Sequence, residues 1–291
     1  MKKLICEAGA TKTDWRVIEN GQQLARHLGA GLNVSTMDMA VIRKSIREAA
    51  DALTGENEKS GAGNLTSDEP FGAIHFYAAG VVTPHIHEVL TSSFRSCFGT
   101  SGIEIQTDLM ACARAACFHA PGVAAILGTG SNSCQFDGEK IVRHVKSGGF
   151  ILGDEGSASV LGKWFVSDYI KGLVPAEIAA EYASQFPSEY ADIVEQVYHN
   201  PGSPSAWLGS LCPFLLSHYG HPYIRRMVDG NFQAFIDRSL RQYDIDQYPV
   251  GIVGGFGYAC QGILRPLFEA AGIRIRAFIP APIEELIKYH A

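Results

Sequence analysis

A two-strand unit occurs twice in this chain of 291 residues, and this repeat constrains the fold most strongly. In the first copy, an apolar run over 4–8 leads through small residues and threonines into a second extended run that ends at Asn20-Gly21. In the second copy, the run GVAAIL leads through GTGSNS into a strand that ends at Asp137-Gly138. Asn-Gly and Asp-Gly favour β-hairpins because both turn positions tolerate positive φ. Two copies about 120 residues apart predict two related domains, since this spacing is too large for a solenoid repeat.

The remaining segments alternate between strand and helix patterns. Apolar spacing predicts a helix over about 37–53, capped near Ser35 and Asp38, and further helices over about 84–98 and after residue 108. Residues 55–69 are polar and glycine-rich, which predicts a loop, and residues 157–243 are mostly helical in pattern. A last strand, YPVGIVGG, precedes a helix over 257–271, a short strand and a C-terminal helix. The order predicts an α/β protein.

Composition argues against several classes of protein. The net charge of -6 and the lack of a basic run argue against nucleic acid as a partner. No apolar run approaches the roughly 18 residues that span a membrane, and no signal peptide precedes the first strand. The seven cysteines show no CxxC spacing and are expected to be reduced, packed thiols. We therefore expect a cytoplasmic protein without a nucleic-acid or membrane partner.

Four glycine-rich turns follow or join apolar strands, and exposed N–H groups in such turns can form a concave anion site. They are Glu7–Thr13, Gly128–Ser133, Gly148–Ser157 and Gly254–Gly257. The first is not a Walker A loop, because Lys12 follows Thr11 and a strand, not a helix, comes next. The second lacks the third glycine of a dinucleotide-binding fingerprint and leads into a hairpin. The turns predict a phosphate-binding hairpin in each of two domains.

These motifs, in this order, resemble the actin-like ATPase and sugar kinase superfamily. More narrowly, the chain resembles the BadF/BadG/BcrA/BcrD-type ATPase family, in the group that contains N-acetylglucosamine kinase. CEAGATKTDW resembles the first phosphate motif, AILGTGSNS the second, GGFILGDEGSASVLG the Gly-Asp-Glu-Gly-Ser segment, and IVGGFGYACQGIL the nucleoside-binding motif. The resemblance covers nearly the whole chain.

The resemblance implies an α/β fold of two actin-like (ribonuclease H-like) domains with an interdomain cleft. It implies an N-terminal domain over 1–106 and a C-terminal domain over 107–281, with a helical insertion at about 163–243. The C-terminal helix over 282–291 is expected to pack on the first domain. The implied activity is ATP-dependent phosphorylation of an amino sugar, with N-acetylglucosamine and its 6-hydroxyl as the leading substrate. Mg²⁺ would be the cofactor, ATP the co-substrate, and a homodimer a possible assembly.

Asp108 is the predicted catalytic residue. It ends the strand pattern GIEIQTD and opens a helix, so its carboxylate should project from the carboxyl end of that strand. In the family that the chain resembles, the matching acid takes the proton of the sugar hydroxyl. The alternative interpretation is a helix N-cap.

The resemblance also assigns residues to ATP and the metal. The predicted phosphate- and nucleoside-binding residues are Gly9, Ala10, Thr11, Lys12, Thr13, Gly128, Thr129, Gly130, Gly254 and Gly255. Glu7 is expected to act on Mg²⁺ through water, since Mg²⁺ in proteins keeps several waters. An ordinary hairpin turn remains the alternative for the first group, and a helix-start turn remains the alternative for the last two glycines.

Four further residues are expected to contact the sugar beside Asp108. They are Asn33, Asn132, Gly149 and Asp154. Asn33 could instead be a loop residue that caps backbone groups. Asp154 could instead stabilise a helix N-terminus, where acids are favourable. Glu155 is expected to be the structural member of the Asp154–Glu155 pair.

Two departures from the family pattern support competing hypotheses. Ala8 stands where much of the superfamily has Gly, and Gly255 stands where the family often has Ser. These two departures support the hypothesis that the chain is a catalytically weak sensor of a sugar or a nucleotide. A third hypothesis is a partner-activating ATPase, as in relatives that carry an iron–sulfur cluster at a dimer interface. The cysteine motif of those relatives is not recognisable here, so Cys112 and Cys117 are interpreted as packed thiols.

Overall fold

Two five-stranded sheets organise the chain, one in each of two units. The computed structural model describes residues 1–9, 12–34, 37–54, 71–81, 83–199 and 203–291. Unit 1 comprises Met1–His119 together with Ala281–Ala291, and unit 2 comprises Ala120–Pro280. The predicted loop at 55–69 and the predicted cap at Ser35 lie outside the described residues.

Unit 1 combines five strands with four helices in the described residues. Its strands are β1 (Lys3–Ala8), β2 (Lys12–Glu19), β3 (Gln22–Ala30), β4 (Ala73–Ala78) and β5 (Ile103–Thr107). Its helices are α1 (Met39–Thr54), α2 (Pro84–Phe98), α3 (Asp108–Cys117) and α13 (Ile283–His290). Asn20 and Gly21 have φ of 49° and 77° between β2 and β3, as a two-residue hairpin turn requires.

Side chains alternate across the first sheet, so each face meets its own pair of helices. Its strand order is β3-β2-β1-β4-β5, with antiparallel pairing among β1, β2 and β3 and parallel pairing of β1 with β4 and β4 with β5. Leu4 and Cys6 belong to the core that includes α1 and α2 residues such as Ile42. Ile5 belongs to a second cluster with Ala111 of α3 and residues of α13.

Unit 2 has five strands and nine α-helices in the described residues. Its strands are β6 (Gly122–Leu127), β7 (Ser131–Phe136), β8 (Ile141–Val145), β9 (Val250–Val253) and β10 (Ile275–Ile279). Its helices are α4 (Gly149–Leu152), α5 (Ala158–Ile170), α6 (Ala176–Gln185), α7 (Tyr190–Val194), α8 (Pro204–Ser210), α9 (Cys212–Ser217), α10 (Pro222–Arg238), α11 (Gly255–Ala259) and α12 (Gln261–Ala270). A π-helical turn at Glu195–His199 and a 3-10 turn at Leu240–Gln242 complete the unit.

The second sheet repeats the pairing pattern of the first. Its order is β10-β9-β6-β7-β8, with antiparallel pairing among β6, β7 and β8 and parallel pairing of β6 with β9 and β9 with β10. Reading β6 to β10 as counterparts of β1 to β5 gives the same strand order. This confirms the two-domain actin-like fold that the repeated hairpin and the resemblance predicted.

The division between the units falls later in the chain than the sequence analysis placed it. The predicted boundary at 106/107 assigned α3 to the second domain, whereas unit 1 continues to His119. The reason lies in packing, because Ala111 of α3 joins Ile5, Tyr77 and Leu286 in one buried cluster. The helix predicted over 257–271 is also two helices, α11 and α12.

All seven cysteines are free thiols, and six are buried, as expected for packed side chains. Among the described residues, no helix combines the length and the apolar character needed to cross a membrane.

Candidate active site

The parallel strands of unit 1 end together at one edge of the sheet. Ala8 of β1 is in register with Ala78 of β4, which is in register with Thr107 of β5. Ligands in α/β sheets bind beyond the carboxyl ends of such strands, because the residues that follow them are brought together. Gly9 and Asp108 therefore lie at the same edge of unit 1.

Asp108 is the first residue of α3, and the neighbouring Thr107 caps this helix. The Thr107 hydroxyl accepts a hydrogen bond from the Met110 N–H at 3.1 Å. The Asp108 Oδ1 atom accepts the Leu109 N–H at 2.9 Å. Burial raises the pKa of the Asp108 carboxyl, while backbone hydrogen bonds act in the opposite direction. A partly buried carboxylate with a raised pKa is suited to taking up a proton.

Glu7 provides a second carboxylate at this edge. Burial raises the pKa of Glu7 to about 7; Lys12 opposes the rise, and Asp108 and Asp14 add to it. Two like charges that disfavour each other's ionisation create a demand for positive charge. Carboxylate oxygens are also the ligands that Mg²⁺ prefers.

The turn between β1 and β2 is held by its backbone. The Gly9 N–H donates to the Lys12 carbonyl at 2.9 Å, and the Gly9 carbonyl accepts the Leu32 N–H at 3.1 Å. A Cβ at Gly9 would lie 3.5 Å from Glu7 Oε1, so a side chain would fill the space beside that carboxylate. The Lys12 side chain is exposed. Ala10 and Thr11 lie outside the described residues, so their phosphate contacts stay predictions.

Thr13 does not fit its predicted role as a phosphate ligand. Its side chain is fully buried, and its hydroxyl donates to the Ala30 carbonyl at 2.7 Å. This bond joins β2 to the end of β3. Since the hydroxyl is used within the sheet and has no exposed surface, Thr13 is a structural residue.

Asn33 lies on a segment that passes the ends of two strands. The N–H groups on either side of it are bonded there: Leu32 donates to the Gly9 carbonyl at 3.1 Å, and Val34 donates to the Ala79 carbonyl at 3.2 Å. Gly9 follows β1 and Ala79 follows β4. The half-buried Asn33 is therefore placed at the edge that carries Asp108.

The strands of unit 2 end in the same way, and the turn after β6 is fixed to α5. The Gly128 N–H donates to the Gly130 carbonyl at 3.0 Å. The carbonyls of Gly128 and Thr129 accept the N–H groups of Ala158 and Ser159 at 3.0 and 3.1 Å. The turn that the sequence analysis assigned to phosphate is thus held against the first residues of α5.

Asp154 is buried next to this turn. Its backbone has φ 59°, a left-handed conformation that non-glycine residues rarely adopt. A Cβ at Gly130 would lie 2.9 Å from Asp154 Oδ2, so a side chain at this position would displace the carboxylate. Burial raises the pKa of Asp154 to about 6, although hydrogen bonds from the Ser131 N–H and the Ser147 side chain favour its ionised form. The Asp154 carboxyl is therefore constrained, and in space it lies beside Gly130, the residue that precedes β7.

Glu155, by contrast, has a structural partner. Its carboxylate forms an ion pair with Arg238, and its carbonyl accepts the Ser131 hydroxyl at 2.8 Å. This arrangement agrees with the expectation that Glu155 is the structural member of the pair.

Asn132 is the second residue of β7 and is half-buried. Its Oδ1 accepts the Ser133 N–H at 2.9 Å and lies 2.9 Å from His144 Nε2. The other ring nitrogen of His144, Nδ1, lies 3.3 Å from Lys146 Nζ. The amide predicted to contact sugar is therefore held by neighbours on two strands.

The remaining predicted glycines differ in what surrounds them. Gly254 has φ 126°, and a Cβ there would lie 2.5 Å from the Leu127 carbonyl oxygen, so packing alone requires glycine. Gly255 and Gly149 border open space, with no heavy atom of the described residues within 4 Å of a Cβ. Gly149 is exposed and has φ 69°.

The residues that hold the polar groups of unit 2 were not predicted from the sequence. Ser131 and Ser147 contact Asp154, and His144 contacts Asn132. No local signal indicated His144, because the β7–β8 register shifts between Gln135 and Phe136, and only this shift places His144 opposite Cys134. Counting outward from the hairpin without that shift would pair His144 with Ser133, whose side chain lies on the face of the sheet opposite to Asn132.

A second polar cluster of unit 1, which we call the Glu104 cluster, lies between β4, β5, α3 and α13. It comprises Glu104, His75, Arg114, Tyr77 and His290. Glu104 accepts from Arg114 Nη2 at 2.8 Å and pairs with His75 Nδ1 at 2.7 Å. Tyr77 Oη lies 2.7 Å from His290 Nε2 and accepts from Arg114 Nη1 at 2.5 Å. The His75 and His290 rings stack with centroids 3.6 Å apart. This cluster was not predicted from the sequence.

Solved structures similar to this chain include sugar kinases and proteins assigned to that class. A Porphyromonas gingivalis protein, provisionally assigned as an N-acetylglucosamine kinase, is 33% identical with a TM-score of 0.89; the match covers 99% of this chain and 98% of that one. A Chromobacterium violaceum protein with the same provisional assignment is 18% identical, with a TM-score of 0.75 and coverage of 100% and 99%. A Streptomyces griseus ROK family glucokinase, solved with glucose and AMPPNP, is 15% identical, with a TM-score of 0.54 and coverage of 99% and 98%.

No protein-family model and no curated protein sequence matches the chain. The 33% identity extends over almost the whole of both chains and is joined by a shared fold. The chain belongs to the N-acetylglucosamine kinase-like group of the BadF-type ATPases, within the actin-like ATPase superfamily.

Proposed function

We propose that this chain is an ATP-dependent sugar kinase that phosphorylates the 6-hydroxyl of N-acetylglucosamine. The observation that carries the proposal is the setting of Asp108. Its carboxylate stands at the end of β5, the capping role belongs to Thr107, and burial raises its pKa. Family membership and the provisional assignment of the 33% identical relative support sugar phosphorylation as the reaction.

In the proposed reaction, Asp108 accepts the proton of the attacking hydroxyl. The sugar oxygen forms a bond to the γ-phosphorus of ATP while the bond to the β-γ bridging oxygen breaks, and ADP leaves. A raised pKa makes Asp108 a better proton acceptor than a fully solvated carboxylate. Catalysis otherwise depends on positioning and on neutralising phosphate charge.

Glu7 fits a role on the metal side of this reaction. Its pKa of about 7 reflects burial and the neighbouring acids, and a divalent cation would relieve their repulsion. The space that a Cβ at Gly9 would fill leaves room beside Glu7 Oε1. Bound Mg²⁺ would neutralise charge on the transferring phosphoryl group, with Glu7 holding it directly or through water.

The other predicted residues divide between ATP and sugar. In unit 1, the exposed Lys12 and the backbone at Gly9 would face phosphate. In unit 2, the turn Gly128–Gly130 would contribute backbone groups, and the open surface at Gly255 would accept the nucleoside. Asn33, Asn132, Gly149 and Asp154 would contact the sugar. A homodimer and a cytoplasmic location remain predictions from the sequence.

The departures that suggested a weak sensor have structural explanations. Ala8 is fully buried in the core that includes Leu4 and Trp15, so its methyl group packs inside unit 1. Gly255 borders open space, so the missing serine removes a contact without creating an obstruction. Cys112 and Cys117 are both buried in α3, as expected for packed thiols.

A coupled assay of ADP release with a panel of hexoses and amino sugars tests the proposal. We expect turnover to be highest with N-acetylglucosamine and to depend on Mg²⁺. Asp108→Asn should abolish turnover while the protein stays folded. Sugar binding by calorimetry without turnover of any sugar would instead identify a sensor, and ATP hydrolysis unaffected by every sugar would identify an ATPase with another partner.

A further inference from the structure

We propose that His144 is a positioning residue that orients the Asn132 amide so that it presents only N–H donors to the sugar. The inference rests on the proposed function, because it assumes that Asn132 contacts the acceptor. It concerns the described segments β7 and β8 and the residue that follows β8.

The orientation of the Asn132 amide follows from the Ser133 backbone. A backbone N–H can only donate, so the atom that lies 2.9 Å from the Ser133 N–H must be the Asn132 oxygen. The same Oδ1 lies 2.9 Å from His144 Nε2. Because Oδ1 can only accept, His144 Nε2 must carry a proton.

Lys146 points to the same tautomer from the other side of the ring. Its ammonium group can only donate, and Nζ lies 3.3 Å from His144 Nδ1. Nδ1 is therefore the acceptor and Nε2 the N–H donor. Burial and then the Lys146 charge lower the pKa of His144, which keeps the ring neutral. Two independent contacts thus assign one tautomer.

The Tyr243 side chain bridges β7, which carries Asn132, and β8, which carries His144. The Tyr243 hydroxyl donates to the Ser133 carbonyl at 2.8 Å and accepts the Val145 N–H at 2.9 Å. Ser133 and Val145 are partners in the β7–β8 ladder. The residues next to Asn132 and His144 therefore have a fixed spacing, which a positioning hydrogen bond requires.

The consequence concerns the Asn132 Nδ2 group. Its oxygen is occupied by two donors, whereas Nδ2 makes no hydrogen bond to a described residue. An amide locked in this way offers two N–H donors and no acceptor. It would select an acceptor oxygen on the substrate, such as a sugar hydroxyl or an acetamido carbonyl, and it would disfavour an ammonium group at that position.

A double-mutant cycle tests whether His144 acts through Asn132. The variants are His144→Phe, Asn132→Ala and the two combined, with steady-state constants measured for N-acetylglucosamine and for ATP. His144→Phe should raise the sugar KM about ten-fold and leave the ATP KM within about two-fold. In the Asn132→Ala background, the same change should have less than about a two-fold effect.

Two further variants serve as controls. His144→Gln carries an amide N–H at a similar reach and should recover most of the sugar affinity. Arg143→Gln changes the adjacent, exposed residue of β8 and should leave the sugar KM unchanged. Thermal unfolding of each variant identifies any that fail to fold.

Nitrogen NMR of the wild-type protein provides a readout that needs no activity. We expect His144 to be a neutral ring protonated at Nε2 near pH 7; protonation at Nδ1 would overturn the inference. Equal effects of His144→Phe with and without Asn132 would also overturn it. If Asp108→Asn abolishes turnover but His144→Phe leaves the sugar KM unchanged, the inference is wrong and the kinase stands. If the wild-type protein phosphorylates no sugar, both are wrong.

Discussion

Unit 1 holds carboxylates in two contrasting environments. Burial alone would raise the pKa of Glu104, but hydrogen bonds from His75 and Arg114 outweigh it and hold the pKa well below its usual range. Burial also acts on Glu7 and Asp108, and there it prevails, so both pKa values are raised. The negative charge of Glu104 is therefore compensated by hydrogen-bonded partners. The charges of Glu7 and Asp108 are not compensated to the same extent.

This contrast distinguishes a buried carboxylate that stabilises the fold from buried carboxylates that serve a function. A carboxylate paired with an arginine and a histidine stabilises the native state relative to the same carboxylate without its partners. Acids that repel each other at strand ends destabilise the native state and are retained where a ligand or a proton supplies the missing charge. We therefore expect substitutions in the two regions to affect different measurements.

The largest effect is expected at Asp108. Asp108→Asn removes the proposed proton acceptor, and we expect kcat to fall about a thousand-fold. The same change removes a partly buried charge, so the free energy of unfolding should rise by about 1 kcal/mol. Coupled kinetics and urea unfolding measure the two quantities. A loss of activity that is matched by a loss of stability would contradict the assignment.

The reverse pattern is expected in the Glu104 cluster. Glu104→Gln leaves the Arg114 charge without its carboxylate, and the free energy of unfolding should fall by about 3 kcal/mol. Glu285→Gln is the matched control, because Glu285 pairs with the exposed Lys288 at 2.7 Å and should cost at most about 0.5 kcal/mol. Chemical unfolding at pH 7 compares them. Equal losses from both changes would show that burial of the pair is unimportant.

The histidine of the same cluster should make stability depend on pH. Burial lowers the pKa of His290 to about 3, so the unfolded chain binds a proton below about pH 6.5 that the folded chain does not. This contribution to stability falls by about 2 kcal/mol between pH 7 and pH 5. The difference between wild type and His290→Phe isolates it, because the opposite slopes of Glu7 and Asp154, whose pKa values are raised, are present in both proteins.

Unfolding of wild type and His290→Phe should therefore be measured at several values between pH 7 and pH 5. We expect the wild-type curve to fall more steeply toward pH 5 than that of the variant. Parallel curves would mean that His290 can be protonated in the folded state.

The smallest effect is expected from a substitution that displaces the Asp154 carboxylate but leaves its charge in place. Gly130→Ala places a Cβ 2.9 Å from Asp154 Oδ2, and we expect the sugar KM to rise about ten-fold as Asp154 shifts. Gly262→Ala in α12 is the control, since it meets open space and should stabilise the helix by about 0.5–1 kcal/mol. An unchanged sugar KM in Gly130→Ala would argue against a role for Asp154 in sugar binding.

Much of the framework was predictable because its signals are local. The Asn20-Gly21 and Asp137-Gly138 turns predicted both hairpins, and the helix over 84–98 was placed within its observed bounds. The glycine-rich turns placed most candidate residues near strand ends. Thr13 was misjudged, because nothing in the sequence shows that its hydroxyl bonds to the end of β3.

The domain boundary and the polar partners could not be predicted from the same signals. Assigning α3 to unit 1 depends on its packing with α13, which lies at the other end of the chain. The contact between Asn132 and His144 depends on strand register. Both are tertiary relations, and local propensity carries no information about them.

The sequence by itself determined the repeated hairpin unit, the positions of the turns and the acids that stand at strand ends, because periodicity and turn chemistry act over a few residues. Only the tertiary structure decided which acids are paired. Tyr77 and His290 are 213 residues apart in the chain, yet they meet in the cluster that also holds Glu104. Charge compensation depends on distance in space, and the fold alone sets that distance.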